Sequence, residues 1–161
     1  MSIAALITWI VTAGFGFFML IRWATRGGVK KVDGAGTHLP PVRVFTHFGL
    51  AAAGLIIWII YLLTDSTILA WIAVVDLVII ATIGVVMARQ WAKDGRAAMA
   101  AAAGGPGGAN EGTVEARRVD AGTVDLAEQH IPRPPVVLHG IFAVSTLILV
   151  LLTALGVGPG S

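Results

Sequence analysis

The chain has no cysteine. That removes disulfides, thiolate metal sites, cysteine-ligated iron–sulfur clusters and covalent c-type haem attachment, leaving histidine, carboxylate and methionine to hold any metal or cofactor. Charge is scarce as well: Asp, Glu, Lys and Arg make up 12% of 161 residues while 57% are hydrophobic, too apolar a balance for a water-soluble domain of this size. No nucleophile–base pair, phosphate loop or metalloprotease motif is present, so a hydrolytic enzyme is not expected. The glycines of AGFGFF read as helix-packing residues, because a nucleotide loop would need a strand before it.

Four windows, residues 3–21, 44–63, 68–88 and 135–156, are long enough to cross a bilayer, which takes about 20 mostly apolar residues at helical rise. The first has no basic residue before it and no small-x-small site followed by a soluble domain, and is expected to be a retained helix. All eleven Lys and Arg fall in two segments, 22–43 and 89–133, which share one side of the membrane if all four windows span. The positive-inside rule puts that side in the cytoplasm, with both termini and the TDST turn outside. A multi-pass protein of the cytoplasmic (inner) membrane, N-out and C-out, is the expectation, and the Ala- and Gly-rich composition hints at a bacterial source. The sequence pI of about 9.5 does not point to nucleic acid. Topology explains the basic residues, and seven of the nine acids share their loops.

The chain repeats itself. RWATRGG after the first window and RQWAKDG after the third both read as a Trp-Ala-x-x-Gly helix exit. His38-Leu39-Pro40 and His130-Ile131-Pro132 follow, and nine residues beyond each first histidine come His47 and His139. The fold expected is all-α: a four-transmembrane-helix bundle built from two similar helical hairpins, a parallel internal repeat with its pseudo-two-fold axis along the membrane normal. Residues 97–128, with AAMAAAAGGPGGANEG followed by mixed charge, are expected to be a flexible cytoplasmic linker, with a short surface helix near 124–129. The five tryptophans are expected to form aromatic belts at the two interfaces.

Four histidines and one acid are the candidates for chemistry. The prolines after His38 and His130 start helices and leave both histidines interfacial, at the water boundary. His47 and His139 lie one or two turns inside, at matched depth, each followed by small residues on the same face: Ala51 and Gly54, Ala143 and Thr146. Imidazoles over a small-residue groove suit axial ligation of a flat macrocycle, and Arg43 and Arg133, with Arg22 and Arg26, lie at the border where its carboxylates would fall. On these residues the sequence resembles the small four-helix membrane cytochromes of the b type. The resemblance implies one haem b held by His47 and His139, passing single electrons between a quinone or a partner and another acceptor. With no second pair of intramembrane histidines, a two-haem wire is not implied.

Two other readings stand beside it. The histidines and small residues can serve helix packing alone, making the chain a non-catalytic scaffold or accessory subunit of a larger membrane complex. All four histidines can instead hold a divalent metal at the cytoplasmic mouth. Positions nine apart are about 13 Å apart along a helix, so a shared ion would need the proline-rich segments to fold back. Asp76, in the middle of AVVDLVII, costs about 2.5 to 3.5 kcal/mol on insertion scales and must face protein or water. It is either a proton relay or a partner in an interhelical hydrogen bond to Thr12 or Thr146.

Overall fold

The structure is a computed structural model describing residues 1–29, 35–103 and 125–157. It is all-helical apart from one two-residue pairing. Helix α1 spans Ser2–Trp23, α2 Pro41–Thr64, α3 Thr67–Ala103 and α4 Arg133–Ala154. All four are long and apolar enough to cross a membrane.

Proline and left-handed residues set most of the boundaries. Pro40 caps α2 in extended geometry and Pro41 takes its first position; Pro132 caps α4 in the same way. Asp65 ends α2 at φ 52°, donating its backbone N–H to the Tyr61 carbonyl, and α3 starts two residues later. The two Trp-Ala-x-x-Gly segments part company. After α1 the chain passes through a π-turn, Ala24–Gly28, in which Gly27 adopts φ 94° and stops the helix. Gly95 stays inside α3, because it is followed by RAAMAAAA, a run of strong helix formers. At about 1.5 Å per residue α3 is roughly 55 Å long, so its last turns project well beyond a hydrocarbon core of about 30 Å.

The helices form a ring in which α1 packs most extensively against α4 and α2 against α3, with α3 against α4 and α1 against α2 closing the square. Helices α2 and α4 are thus diagonal. One core cluster, around Trp9, Trp58, Ala73, Leu77 and Val150, fills the half of the bundle at the TDST turn. The other, around Trp23, Leu39, Val44, Ala127 and Ile131, fills the charged end. The outward faces are apolar: Ile7, Val75, Val144 and Leu63 are 57%, 58%, 58% and 80% exposed. An apolar exterior of that extent belongs against lipid.

Two expectations change. Trp9, Trp23 and Trp58 are 3%, 2% and 0% exposed and sit between helices instead of in interfacial belts. The physical reason is that the indole N–H finds an acceptor inside: Trp58 Nε1 donates to the Ser2 carbonyl at 3.2 Å and Trp23 Nε1 to Thr37 Oγ1 at 3.0 Å. Only Trp71 is largely exposed. The segment expected as a linker, 97–128, is helical through Ala103, and its far end is packed. Asp125–Leu126 pairs in parallel with Ala35–Gly36, a 3-10 turn follows over Ala127–His130, and Leu126, Ala127 and Glu128 are buried. The stretch between, 104–124, lies outside the described residues.

The contrast between the two exit glycines is testable. Gly27→Ala forces a side chain into left-handed backbone and should destabilise the protein by about 1–2 kcal/mol. Gly95→Ala, in a helix with nothing within 4 Å of the added methyl, should stabilise by up to about 1 kcal/mol. Denaturant titration of the detergent-solubilised variants separates the signs; equal effects would contradict the assigned helix ends.

Candidate functional site

His47 and His139 each stand six positions after the first residue of their helix, and from the diagonal helices α2 and α4 their rings meet across the bundle. The ring centres are 6.2 Å apart and the planes 55° to each other. Each ring is fixed from behind in the same manner. His47 Nδ1 lies 3.2 Å from the Ile80 carbonyl on α3, and His139 Nδ1 lies 2.9 Å from the Thr12 carbonyl on α1. A carbonyl only accepts, so these partners assign the proton to Nδ1 and leave Nε2 as the ring's lone-pair nitrogen. Among the described residues no hydrogen bond engages either Nε2.

The carbonyls are reachable because of glycine. A helix carbonyl at position i already accepts from the N–H at i+4, and the side chain at i+4 shields its second lone pair. Four residues after Ile80 is Gly84, and four after Thr12 is Gly16. A Cβ at either position would lie 3.1 Å from the Cε1 of the imidazole it faces. Glycine therefore opens the carbonyl to the ring on both sides of the bundle.

Ala51 and Ala143 are half-buried one turn beyond the histidines, as the spacing predicts. Gly54 is not part of their groove. It is covered by the Asp76 carboxylate and the Trp9 ring, so its missing side chain accommodates α3 and α1. Thr146 is buried and bonds the Phe142 carbonyl of its own helix. The border arginines are also unequal. Arg43 is half-buried, whereas Arg133 is exposed and donates to Met99 Sδ at 3.1 Å. Arg22 is held more deeply: one terminal nitrogen donates to the His130 carbonyl at 3.3 Å, while its Nε is fully buried with no partner. A buried guanidinium N–H without an acceptor is a position for an anion.

Asp76 carries the other orphaned atom. Its Oδ2 is buried without a partner. Thr12 and Thr146, the hydroxyls that the sequence offers, bond the Thr8 and Phe142 carbonyls instead. Asp76 stands one turn before Ile80, whose carbonyl holds His47, and it borders a groove of about 500 Å³ lined by Ile57, Trp71, Ile72, Val75 and Ile79.

At the charged end, His38 and His130 lie outside the helices, as expected from the prolines. They do not join the other pair: among the described residues no three histidines bring their ring nitrogens together, which removes the four-histidine metal site. His38 instead pairs with Asp94, Nδ1 to Oδ1 at 3.0 Å, and His130 Nδ1 lies 3.4 Å from the Leu126 carbonyl.

Sequence reasoning misses Ile80 and Gly84, names Thr12 only as a hydroxyl partner for Asp76, and assigns Gly16 to packing only. The signal that points to them is a Gly-x6-Trp spacing, Gly16 to Trp23 and Gly84 to Trp91, which places each glycine at the same height above the matched tryptophans. Comparisons with protein-family models, curated proteins and solved structures give no match, so the assignment rests on this chain's own geometry.

Alanine at the ring-facing glycines provides a check by magnitude. Gly→Ala in a helix gains about 1 kcal/mol where space is open, as at Gly14 and Gly49. At Gly16 and Gly84 the 3.1 Å contact opposes that gain, so both variants should fall short of it and shift the imidazole resonances of His139 and His47 respectively. Unchanged histidine spectra in both variants would contradict the contact.

Proposed function

We propose that this protein binds one b-type haem between α2 and α4, which Nε2 of His47 and of His139 would hold, and carries single electrons at the membrane. The observation that carries this is the matched anchoring of the two rings. The two ring centres stand 6.2 Å apart, so one iron could be held between the two imidazoles. Metal-ligating histidines characteristically donate the other ring N–H to a carbonyl or carboxylate, which fixes the tautomer and raises ligand basicity. Ile80 and Thr12 supply that partner. When bound, haem supplies a one-electron iron couple whose potential follows its axial ligands and surroundings.

The other residues have defined parts. Ala51 and Ala143 are the small residues one turn beyond the rings, and the partnerless Nε of Arg22 offers a donor for a haem carboxylate, with half-buried Arg43 and exposed Arg133 as the further border cations. In this reading Asp76, which borders a groove whose other walls are apolar, accepts one proton as a lipid-soluble hydroquinone gives up one electron to the haem. A quinone, or a larger membrane complex that passes electrons, is the partner class this suits. The bundle is read as two similar hairpins in parallel. Exchanging α1 with α3 and α2 with α4 carries His47, Ile80 and Gly84 onto His139, Thr12 and Gly16, which supports that repeat. With all eleven Lys and Arg confined in sequence to 22–43 and 89–133, the end of the bundle that those segments join is read as cytoplasmic.

Protein purified from haem-sufficient cells should show a Soret band and, after dithionite, the sharpened visible bands of a low-spin b-type haem. His47→Ala and His139→Ala should each abolish the low-spin spectrum while preserving helicity. A colourless wild-type preparation would refute the proposal and return the chain to the scaffold reading. Asp76→Asn should leave the spectrum intact and slow reduction by a quinol analogue by about 10²-fold, the lower range for loss of a positioned base. An unaltered rate would reduce Asp76 to a packing residue against Gly54.

A further inference from the structure

We propose that His38, Asp94 and Glu128 form a second site, for a divalent transition-metal ion, at the charged end of the bundle. The three come from separate stretches: the link between α1 and α2, the projecting part of α3 and the 3-10 turn before α4. Their ligand atoms nevertheless all lie within 4.8 Å of one another.

Charge and burial argue for a cation at that point. Asp94 is 8% exposed and Glu128 0% exposed, yet among the described residues neither is paired with Lys or Arg. Two buried carboxylates this close repel each other, and buried charge persists where it is paired or bound to a metal. Neutral donors hold both in place. Glu128 accepts the Thr37 hydroxyl at 2.8 Å and the His38 backbone N–H at 2.6 Å, and Asp94 accepts the Gln90 amide at 3.1 and 3.2 Å. Thr37 is itself fixed by Trp23 Nε1. These neutral donors orient the carboxylates, as outer partners do in metal sites; the one basic partner is the His38 ring, whose Nδ1 lies 3.0 Å from Asp94 Oδ1 and would give up any proton there to a bound ion.

The third ligand sets the class of ion and its route in. The His38 side chain is 56% exposed, so the site opens to water through it, and water can complete the coordination. Ligand atoms bound at about 2.0–2.2 Å lie roughly 3–4 Å apart, so a small inward movement of the exposed ring would close the set. One imidazole with two carboxylates suits zinc, manganese or ferrous iron, whereas calcium and magnesium favour oxygen alone. A bound ion would clamp both interhelical links to the projecting end of α3. This site is independent of the haem proposal and shares no ligand with it.

Calorimetric titration of the chelator-treated full-length protein with Zn2+ and Mn2+ is the test. One saturable site per chain is expected, with Ca2+ and Mg2+ at least about tenfold weaker. His38→Gln, Asp94→Asn and Glu128→Gln should each weaken Zn2+ binding at least about tenfold, at or beyond the loss seen for outer-shell partners. His38→Gln is the safest, because its side chain is exposed and its backbone bond to Glu128 is kept. Absence of saturable binding would overturn the proposal, as would equal affinity for Ca2+. So would binding unchanged in His38→Gln but lost when His47 and His139 are both replaced by Ala.

Discussion

A ring N–H donated to the second lone pair of a helix carbonyl is the contact on which the centre of this bundle depends. Within lipid a helix satisfies its own backbone and offers little to a neighbour. The exception arises where the residue four positions on has no side chain. Gly84 and Gly16 create that exception twice, and each is filled by an imidazole from the adjacent helix. The bond joins α2 to α3 and α4 to α1, the two most extensive packing pairs. It also decides which nitrogen of each ring is left over. The hydrogen bonds that orient the rings leave each Nε2 as the nitrogen without a carbonyl partner.

The charged end obeys a different constraint. There the chain must leave α1, enter α2 and later enter α4 within reach of water, and it does so through a polar chain from Trp23 to Thr37 to Glu128 to the His38 backbone. The α1 exit is sharp because Gly27 turns left-handed, which brings the link back under the bundle. The length of α3 carries Asp94 out to meet it. Apolar core and polar cap meet at Trp23, whose ring is buried among Leu39, Val44 and Ala127 while its N–H serves the polar chain.

Much of this was legible from composition and spacing. Four apolar windows, Lys and Arg confined to two segments and the nine-residue histidine spacing describe the helices and the matched positions of His47 and His139 within them. Failures occurred where a residue's role depends on a partner far away in the chain. Tryptophan belts are a sound expectation for indoles at helix ends, but Trp58 and Trp23 have acceptors in Ser2 and Thr37 that no local pattern reveals. Gly54 looked like part of the histidine groove by its seven-residue spacing, yet the helix is turned so that it faces Asp76. The mixed-charge stretch before His130 reads as flexible linker, whereas Glu128 is buried because two donors from the other link meet it. The Trp-Ala-x-x-Gly pattern predicted two exits; the residues after each glycine, not the pattern, decide which one ends a helix.

The central claim is that His47 and His139 together ligate one haem iron, using the nitrogens that their carbonyl bonds leave over. Electron paramagnetic resonance of the oxidised protein at low temperature tests it most directly. The account predicts a low-spin ferric signal of the bis-imidazole type in the wild type, converted to a high-spin signal or lost with the haem when either histidine is replaced by alanine. A high-spin wild-type signal, or a low-spin signal that survives both substitutions, would contradict it.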